Sequence, residues 1–148
     1  MILPDVNVLV IAHRRELVGH DSVRAWLAET VNANRAYGLA DLVLSGFSRI
    51  VTHPRIFASP MTIPQALSAV ERLRERPNRV AIAPGPRHWS IFTRLCRATG
   101  ARGNRVPDAY LAALAIESGS EWITADRDFA RYPGLHWRHP LDPPSLAR

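Results

Sequence analysis

Short apolar runs alternate with longer amphipathic stretches along most of this 148-residue chain. Runs of three or four apolar residues fit buried strands, and the stretches between them carry apolar residues at helical spacing. Strands that alternate with helices in this way are typical of an α/β domain with a parallel sheet. We therefore predict a three-layer α/β/α sandwich with a parallel sheet of about five short strands.

The element boundaries follow from apolar spacing and from residues that begin or end helices. The predicted strands are Ile2 to Pro4, Arg35 to Gly38, Val80 to Ala83, Trp122 to Thr124 and Leu135 to Arg138. The predicted helices begin at Asp5, at Asp21 or Ser22, at Leu39, near Pro64, at Trp89 and at Val106. Asp21 or Ser22 is expected to cap the second helix. The spacing also predicts that Leu67 and Trp89 face the core.

The length and the 47% hydrophobic content suit a single domain that buries roughly two-thirds of its unfolded surface. Pro140, Pro143 and Pro144 disfavour a helix near the end, so we predict a domain over residues 1–140 and a flexible tail over 141–148. The chain lacks signal-peptide features and any apolar run of roughly 18 residues. Cys96 is the only cysteine, so an intramolecular disulfide and a cysteine-rich zinc site are excluded, and a cytoplasmic location is expected.

All 19 Lys+Arg residues of the sequence are arginines. The absence of lysine excludes Schiff-base and pyridoxal-phosphate chemistry and a Walker A loop. Arginine binds phosphates with a planar fork, so the formal net charge of +6 favours a polyanionic partner. A GC-rich genome would produce the same arginine usage. The six histidines show no helical pair backed by a third ligand, which argues against a histidine-bound zinc site.

Four of the seven aspartates are predicted to meet at one edge of the sheet. Asp5 and Asp126 directly follow strands, Asp41 lies in the first turn of a helix, and Asp108 opens an alanine-rich helix. The carboxyl ends of parallel strands share one edge, where ligands bind. Taken singly, each aspartate also fits a helix cap or a turn. Together they would repel one another unless a divalent cation joined them, which favours a Mg²⁺ or Mn²⁺ site.

A site with only oxygen ligands suits the hydrolysis of phosphodiesters, in which one or two cations activate water and stabilise charge on the phosphate. Arg102 and Arg105 precede Asp108, and Arg127 follows Asp126. These three arginines are candidates to bind a nucleic-acid backbone, and each also fits an ordinary surface arginine.

Three short motifs resemble those of PIN-domain ribonucleases. They are Asp5-Val6-Asn7, Val106-Pro107-Asp108-Ala109 and Thr124-Ala125-Asp126-Arg127-Asp128-Phe129. The order and spacing of the motifs resemble most closely the VapC-type toxins of bacterial toxin–antitoxin pairs. Within that family, one group shares two further segments of this chain, Phe47-Ser48-Arg49-Ile50-Val51-Thr52 and Gly134-Leu135-His136-Trp137. The resemblance extends from Met1 to Pro140.

The resemblance implies a Mg²⁺-dependent endoribonuclease in which water attacks the phosphodiester in line and leaves 5′-phosphate and 3′-hydroxyl ends. It implies that Asp5 and Asp108 bind the metal and that Asp126 or Asp128 supplies a further acid. Asn7 and Thr124 match polar positions that brace the acids. The implied partners are an RNA substrate, a VapB-like antitoxin whose C-terminal segment blocks the groove, and a second copy of the chain in a homodimer.

The sequence departs from the family at its second acid, which is usually a glutamate in the middle helix. The matching position here is Gly46. Asp41 lies five residues earlier, about 140° away around a helix, so it does not inherit the geometry of that glutamate. If Asp41 reaches the other acids from the first turn of its helix, it adds a fourth acid; otherwise a site with three acids would suit one metal rather than two. The departure also leaves open a degenerate PIN module that binds RNA or protein without cleavage. A haloacid-dehalogenase-type phosphatase fits less well, because Asp5-Val6-Asn7 lacks that family's second aspartate.

Overall fold

A computed structural model describes residues 1–144, and its strands form one parallel sheet. The strands are β1 (Ile2–Pro4), β2 (Tyr37–Ala40), β3 (Arg79–Ile82), β4 (Glu121–Ile123) and β5 (Trp137–Arg138). Their order across the sheet is β3-β2-β1-β4-β5, and every neighbouring pair is parallel. The predicted parallel sheet is thereby confirmed.

The helices form two groups around the sheet. They are α1 (Val6–His13), α2 (His20–Asn32), α3 (Asp41–Val51), α4 (Ile63–Arg74), α5 (His88–Thr99) and α6 (Arg105–Ser118). Helix α1 packs against α2 and α3, α3 packs against α4, and α5 packs against α6. A short 3₁₀ helix spans Arg127–Arg131. This arrangement is the predicted α/β/α sandwich, and within residues 1–144 no helix is long and apolar enough to cross a membrane.

The core lies between the sheet and these helices. Leu3, Trp122 and Ile123 on the central strands have no exposed surface. The buried face of α6 is built largely of alanines, among them Ala109 and Ala112, and small side chains let a helix pack closely against its neighbours.

Strand β2 begins two residues later than predicted. All four of its residues, Tyr37–Ala40, are buried, and the Tyr37 hydroxyl donates to the carbonyl of Leu73 at 2.7 Å. The buried residues therefore follow Arg35, whose charged side chain stays exposed. Packing, rather than the local strand pattern, sets where this strand begins.

Three further local predictions were wrong. Neither Asp21 nor Ser22 caps α2, because the helix begins one residue earlier, after Gly19 in the left-handed region (φ 81°). Trp89 is 68% exposed and Leu67 is also exposed, because their helices bury other residues, among them Leu95 in α5. Apolar spacing therefore overestimated the width of the buried face on these helices.

The start of the predicted tail contacts the domain. The Asp142 carboxylate accepts a hydrogen bond from the backbone N–H of His139 at 3.3 Å and pairs with Arg127 at 3.5 Å. Residues 145–148 lie outside the described residues, so the flexible tail over 141–148 stays a prediction.

The topology brings the ends of β1 and β4 together. The two strands pair in register, with Ile2 opposite Glu121 and Pro4 opposite Ile123. The backbone N–H of Asp5 extends this ladder by donating to the carbonyl of Ile123 at 2.8 Å. The residues that follow β1 and β4 are therefore neighbours, although more than a hundred positions separate them in the sequence.

Candidate active site

A pocket of about 690 Å³ opens at this edge of the sheet. Its acidic residues are Asp5, which follows β1, Asp108 in the first turn of α6, and Asp126, which precedes the 3₁₀ helix. One face of α3 forms another part of its lining, which we call the α3 wall. The α3 wall consists of Leu42, Ser45, Gly46, Arg49 and Ile50. We refer to the whole cavity as the acidic pocket.

Asp5 is held by hydrogen bonds to both of its carboxylate oxygens. Its Oδ1 accepts the backbone N–H of Val6 at 2.6 Å, so the side chain caps α1. Its Oδ2 accepts the Thr124 hydroxyl at 2.6 Å and the Asn7 side-chain amide at 3.0 Å. The residue is only 5% exposed, and these donors fix the orientation of its carboxylate.

Asn7 and Thr124 extend these bonds to the segment that carries Asp126. The Asn7 side chain donates to Thr124 Oγ1 at 3.1 Å and accepts the backbone N–H of Ala125 at 3.0 Å. Thr124 Oγ1 also accepts the backbone N–H of Asp126 at 3.1 Å. We call the five residues joined by these bonds the Asp5 network: Asp5, Asn7, Thr124, Ala125 and Asp126. The network ties the end of β1 to the end of β4.

Burial and neighbouring carboxylates raise the pKa values of two acids of the pocket, Asp5 and Asp108. Burial raises the pKa of Asp5 to about 6, against an ordinary value of 3.8; the Thr124 and Val6 hydrogen bonds oppose this rise, and the charges of Asp108 and Asp126 add to it. Burial and the Asp126 charge likewise raise the pKa of Asp108, whereas Arg131 lowers it. The pocket therefore holds more negative charge than its surroundings stabilise.

Comparison with known proteins now identifies the family. Residues 2–135 match the family model of the PIN domain. The chain is 45% identical to VapC ribonuclease Mb2897 of Mycobacterium bovis. The aligned region of 142 residues covers 96% of this chain and 97% of that protein. The chain is a PIN-domain protein of the VapC family.

Solved structures show that this VapC-family chain shares its fold with more distant proteins. VapBC-1 from nontypeable Haemophilus influenzae matches with a TM-score of 0.68 at 19% identity, over 96% of this chain and 100% of that chain. Mycobacterium tuberculosis VapC20, described as a toxin that cleaves the sarcin-ricin loop, matches with a TM-score of 0.63 at 15% identity. The match covers 92% of this chain and 99% of that chain. At these identities the similarity concerns the fold alone.

Gly46, the position at which the family resemblance predicts a second acid, lies within the α3 wall. A Cβ atom at this position would lie 2.9 Å from Cγ2 of Val6. Such a distance is shorter than real contacts, so a side chain here would require Val6 or the packing of α1 on α3 to shift. The glycine therefore serves helix packing, and this position contributes no carboxylate to the pocket.

Asp41 and Asp128 both lie outside the acidic pocket. Asp41 is exposed, pairs with Arg74 at 3.0 Å and lines a separate cavity of about 120 Å³. Asp128 donates its backbone N–H to Asp126 Oδ1 at 2.9 Å, while its side chain pairs with Arg131 at 3.2 Å. In this arrangement neither carboxylate stands in for the acid missing at Gly46.

The arginines predicted to bind nucleic acid also lie outside the pocket lining. Arg127 pairs with Asp142, and the side chains of Arg102 and Arg105 are exposed. Three polar pocket residues were missed instead, Ser45 and Arg49 on α3 and Asn104 just before α6. Arg49 could have been found from its spacing, because it lies three positions after Gly46 on the same helix face.

The chemistry of the pocket fits a divalent cation. Carboxylate oxygens are the ligands that Mg²⁺ and Mn²⁺ prefer, and the raised pKa values of Asp5 and Asp108 indicate unbalanced negative charge. With the side chains as they stand, residues 1–144 contain no group of three or more His, Cys, Asp or Glu side chains arranged to hold an ion. The donors therefore fit a divalent cation in type and charge.

Proposed function

We propose that this chain is a metal-dependent endoribonuclease that acts as the toxin of a VapBC-type pair. The observation that carries the proposal is the meeting of Asp5, Asp108 and Asp126, from three separate elements, in one pocket where burial and mutual repulsion raise the pKa of Asp5. The 45% identical relative, named a ribonuclease, supports the same activity.

In this proposal Asp5, Asp108 and Asp126 hold Mg²⁺, and Mn²⁺ is the alternative ion. When bound, the ion supplies stabilisation of charge on the scissile phosphate and lowers the pKa of a water molecule. The chain's own task is to keep the carboxylates in place. The Asp5 network does this for Asp5 and for the backbone of Asp126, so Asn7 and Thr124 act as positioning residues.

RNA is the proposed substrate and a VapB-like antitoxin the proposed protein partner. The shared fold with VapBC-1 supports the antitoxin. A homodimer and a cytoplasmic location stay predictions of the family resemblance and of the sequence.

A cleavage assay tests the proposal. Purified protein is incubated with structured RNA and Mg²⁺ or EDTA, alongside Asp5→Asn and Asp108→Asn variants and an Asp21→Asn control on the surface of α2. Loss of a cation ligand or of the ion removes several kcal/mol of charge stabilisation, so cleavage should fall on the order of 100-fold to 1,000-fold. The Asp21 variant should cleave normally. Cleavage that persists in EDTA or in both site variants would contradict the mechanism.

The missing acid at Gly46 favours one rival, a degenerate module that binds RNA or protein without cleaving it. The same assay separates the two functions. If the wild-type protein binds RNA but releases no product with either Mg²⁺ or Mn²⁺, the rival replaces the nuclease.

A further inference from the structure

The α3 wall presents one continuous face of its helix to the acidic pocket. Its members, Leu42, Ser45, Gly46, Arg49 and Ile50, follow the i, i+3, i+4, i+7, i+8 spacing of a helix face. The middle of this face is occupied by the contact between Gly46 and Val6. Ser45 and Arg49 are therefore the polar side chains that α3 offers to the pocket, in a region where the family resemblance predicts an acid.

Arg49 is the only cation among the described residues that line the acidic pocket. Its side chain is exposed and makes no hydrogen bond or ion pair with any other residue of 1–144. Several other arginines of the chain are paired: Arg74 with Asp41, Arg127 with Asp142 and Arg131 with Asp128. The guanidinium of Arg49 thus makes no hydrogen bond within residues 1–144, in the lining of a pocket that also holds three carboxylates.

We propose that Arg49 binds a phosphate group of the RNA substrate and positions it in the acidic pocket. The inference rests on the proposed function, since it deepens the account of the same site. A guanidinium binds a phosphodiester through two parallel N–H···O bonds, which fixes its orientation as well as its place. Carboxylates alone repel a phosphate, so a free cation in the pocket lining supplies an attraction that Asp5, Asp108 and Asp126 do not.

The helix itself explains why Arg49 suits a positioning role. Phe47, two positions before Arg49, and Val51, two positions after it, are fully buried. The backbone that carries Arg49 is therefore anchored in the core. The Arg49 carbonyl also accepts the Thr52 hydroxyl at 3.3 Å near the end of the helix. The buried part of α3 therefore holds the backbone of Arg49 in place at the pocket.

The test measures RNA binding separately from cleavage. A fluorescein-labelled single-stranded RNA is titrated in EDTA, over a range of salt concentrations, with wild type, Arg49→Ala, Arg49→Lys and Arg35→Ala. Arg35 is the matched control, because it is an exposed arginine that precedes β2 and so lies at the opposite edge of the sheet from the pocket. Melting temperatures of all four proteins establish that they are equally folded.

Arg49→Ala should weaken RNA binding about 10-fold, as expected for one charge-assisted contact, and should reduce the salt slope by about 0.7 for one lost phosphate contact. Arg49→Lys should keep the slope and recover part of the affinity, since it keeps the charge but not the fork. Arg35→Ala should change neither quantity. With Mg²⁺, Arg49→Ala should raise KM more than it lowers kcat.

Unchanged affinity and slope in Arg49→Ala would overturn the inference, as would an equal loss in Arg35→Ala. A parallel titration uses an acidic peptide in place of the RNA. If Arg49→Ala weakens binding of the peptide but not of the RNA, the inference is also overturned. The two proposals fail separately: a wild type that never cleaves, together with weaker RNA binding by Arg49→Ala, removes the nuclease function and leaves the phosphate site. Normal cleavage with an unchanged KM in Arg49→Ala removes only the phosphate site.

Discussion

The Asp5 network and the α3 wall line the same pocket but are built in different ways. The network joins side chains from both ends of the chain, and each is fixed by several hydrogen bonds. The α3 wall comes from one helix. Its charged side chain, Arg49, makes no hydrogen bond or ion pair within residues 1–144. The Asp5 network is negatively charged and held by hydrogen bonds, with Asp5 and Thr124 buried, whereas the α3 wall is largely exposed and carries the positive charge of Arg49.

This difference teaches how a site can hold both a cation and a polyanion. Carboxylates that bind a metal must keep their geometry, which costs free energy because their charges repel and are desolvated. A group that binds a flexible RNA backbone gains from staying mobile in water until the RNA arrives. The predictions below alter one region at a time and run from the largest expected effect to the smallest.

The largest effect concerns the charge of Asp5 in metal-free protein. Its folded pKa of about 6 lies above the ordinary 3.8, so between these values the folded state holds the proton and stability falls as pH rises. Raising the pH from about 4 to about 7 in EDTA should therefore destabilise wild type relative to Asp5→Asn by about 2 kcal/mol.

Urea unfolding of both proteins at several pH values measures this difference. Burial lowers the pKa of His13, which weakens stability as pH falls, but that effect is common to both proteins and cancels. Added Mg²⁺ should stabilise wild type at neutral pH and not the variant. A difference between the two proteins that does not vary with pH would show that Asp5 carries no such strain.

Thr124→Val removes the hydroxyl around which the Asp5 network is organised. The variant leaves Asp5 Oδ2 with one donor and the backbone N–H of Asp126 without its partner. Mg²⁺ affinity and cleavage should each fall about 10-fold to 100-fold, as is typical when a group that orients metal ligands is lost. Calorimetry with Mg²⁺ gives the affinity. Thr124→Ser keeps the hydroxyl and should restore most of the loss; a serine variant as weak as the valine variant would refute this role.

Gly46→Ala tests the close packing of α3 on α1. The new methyl group meets Val6 at 2.9 Å, and overpacking of this kind costs about 1–3 kcal/mol, from which the better helix propensity of alanine returns up to about 1. We expect a net loss of about 1 kcal/mol in the free energy of unfolding. The Val6→Ala background provides the control, since it makes room for the methyl group. A Gly46→Ala variant equally destabilised in both backgrounds would rule out this contact as the cause.

The smallest effect is expected at Asp41, which belongs neither to the Asp5 network nor to the α3 wall. Its pair with Arg74 is exposed, so Asp41→Asn should cost no more than about 1 kcal/mol of stability. RNA cleavage should stay within about twofold of wild type, because this carboxylate does not line the acidic pocket. A loss as large as that of Asp108→Asn would mean that Asp41 reaches the metal after all.

The sequence was sufficient to predict the sheet and the residues that follow its strands. Asp5 and Asp126 were placed correctly at strand ends because a parallel sheet brings the carboxyl ends of its strands to one edge. The same argument grouped Asp41 with them, and there it was wrong. A residue at the start of a helix can point to either side of the edge, and only the packing of α3 against its neighbours decides which.

The arginines were harder to predict for a physical reason. Arg102, Arg105 and Arg127 were chosen for their nearness in sequence to acids, but a flexible charged side chain reaches whichever partner the fold supplies. Arg127 finds Asp142, fifteen positions later. Arg49 is far in sequence from every acid of the pocket, and it lies there because Gly46 lets α3 pack closely on α1. Tertiary contacts of this kind leave little local signal.

The Asp5 network also determines how much of the chain must be synthesised before the acidic pocket can form. Asp5 and Asn7 are synthesised more than a hundred residues before Thr124, Ala125 and Asp126, to which they are hydrogen-bonded directly or through Thr124. A fragment released early lacks both the hydroxyl that holds Asp5 and the third carboxylate. During synthesis the acidic pocket therefore cannot be completed before Asp126 has been added.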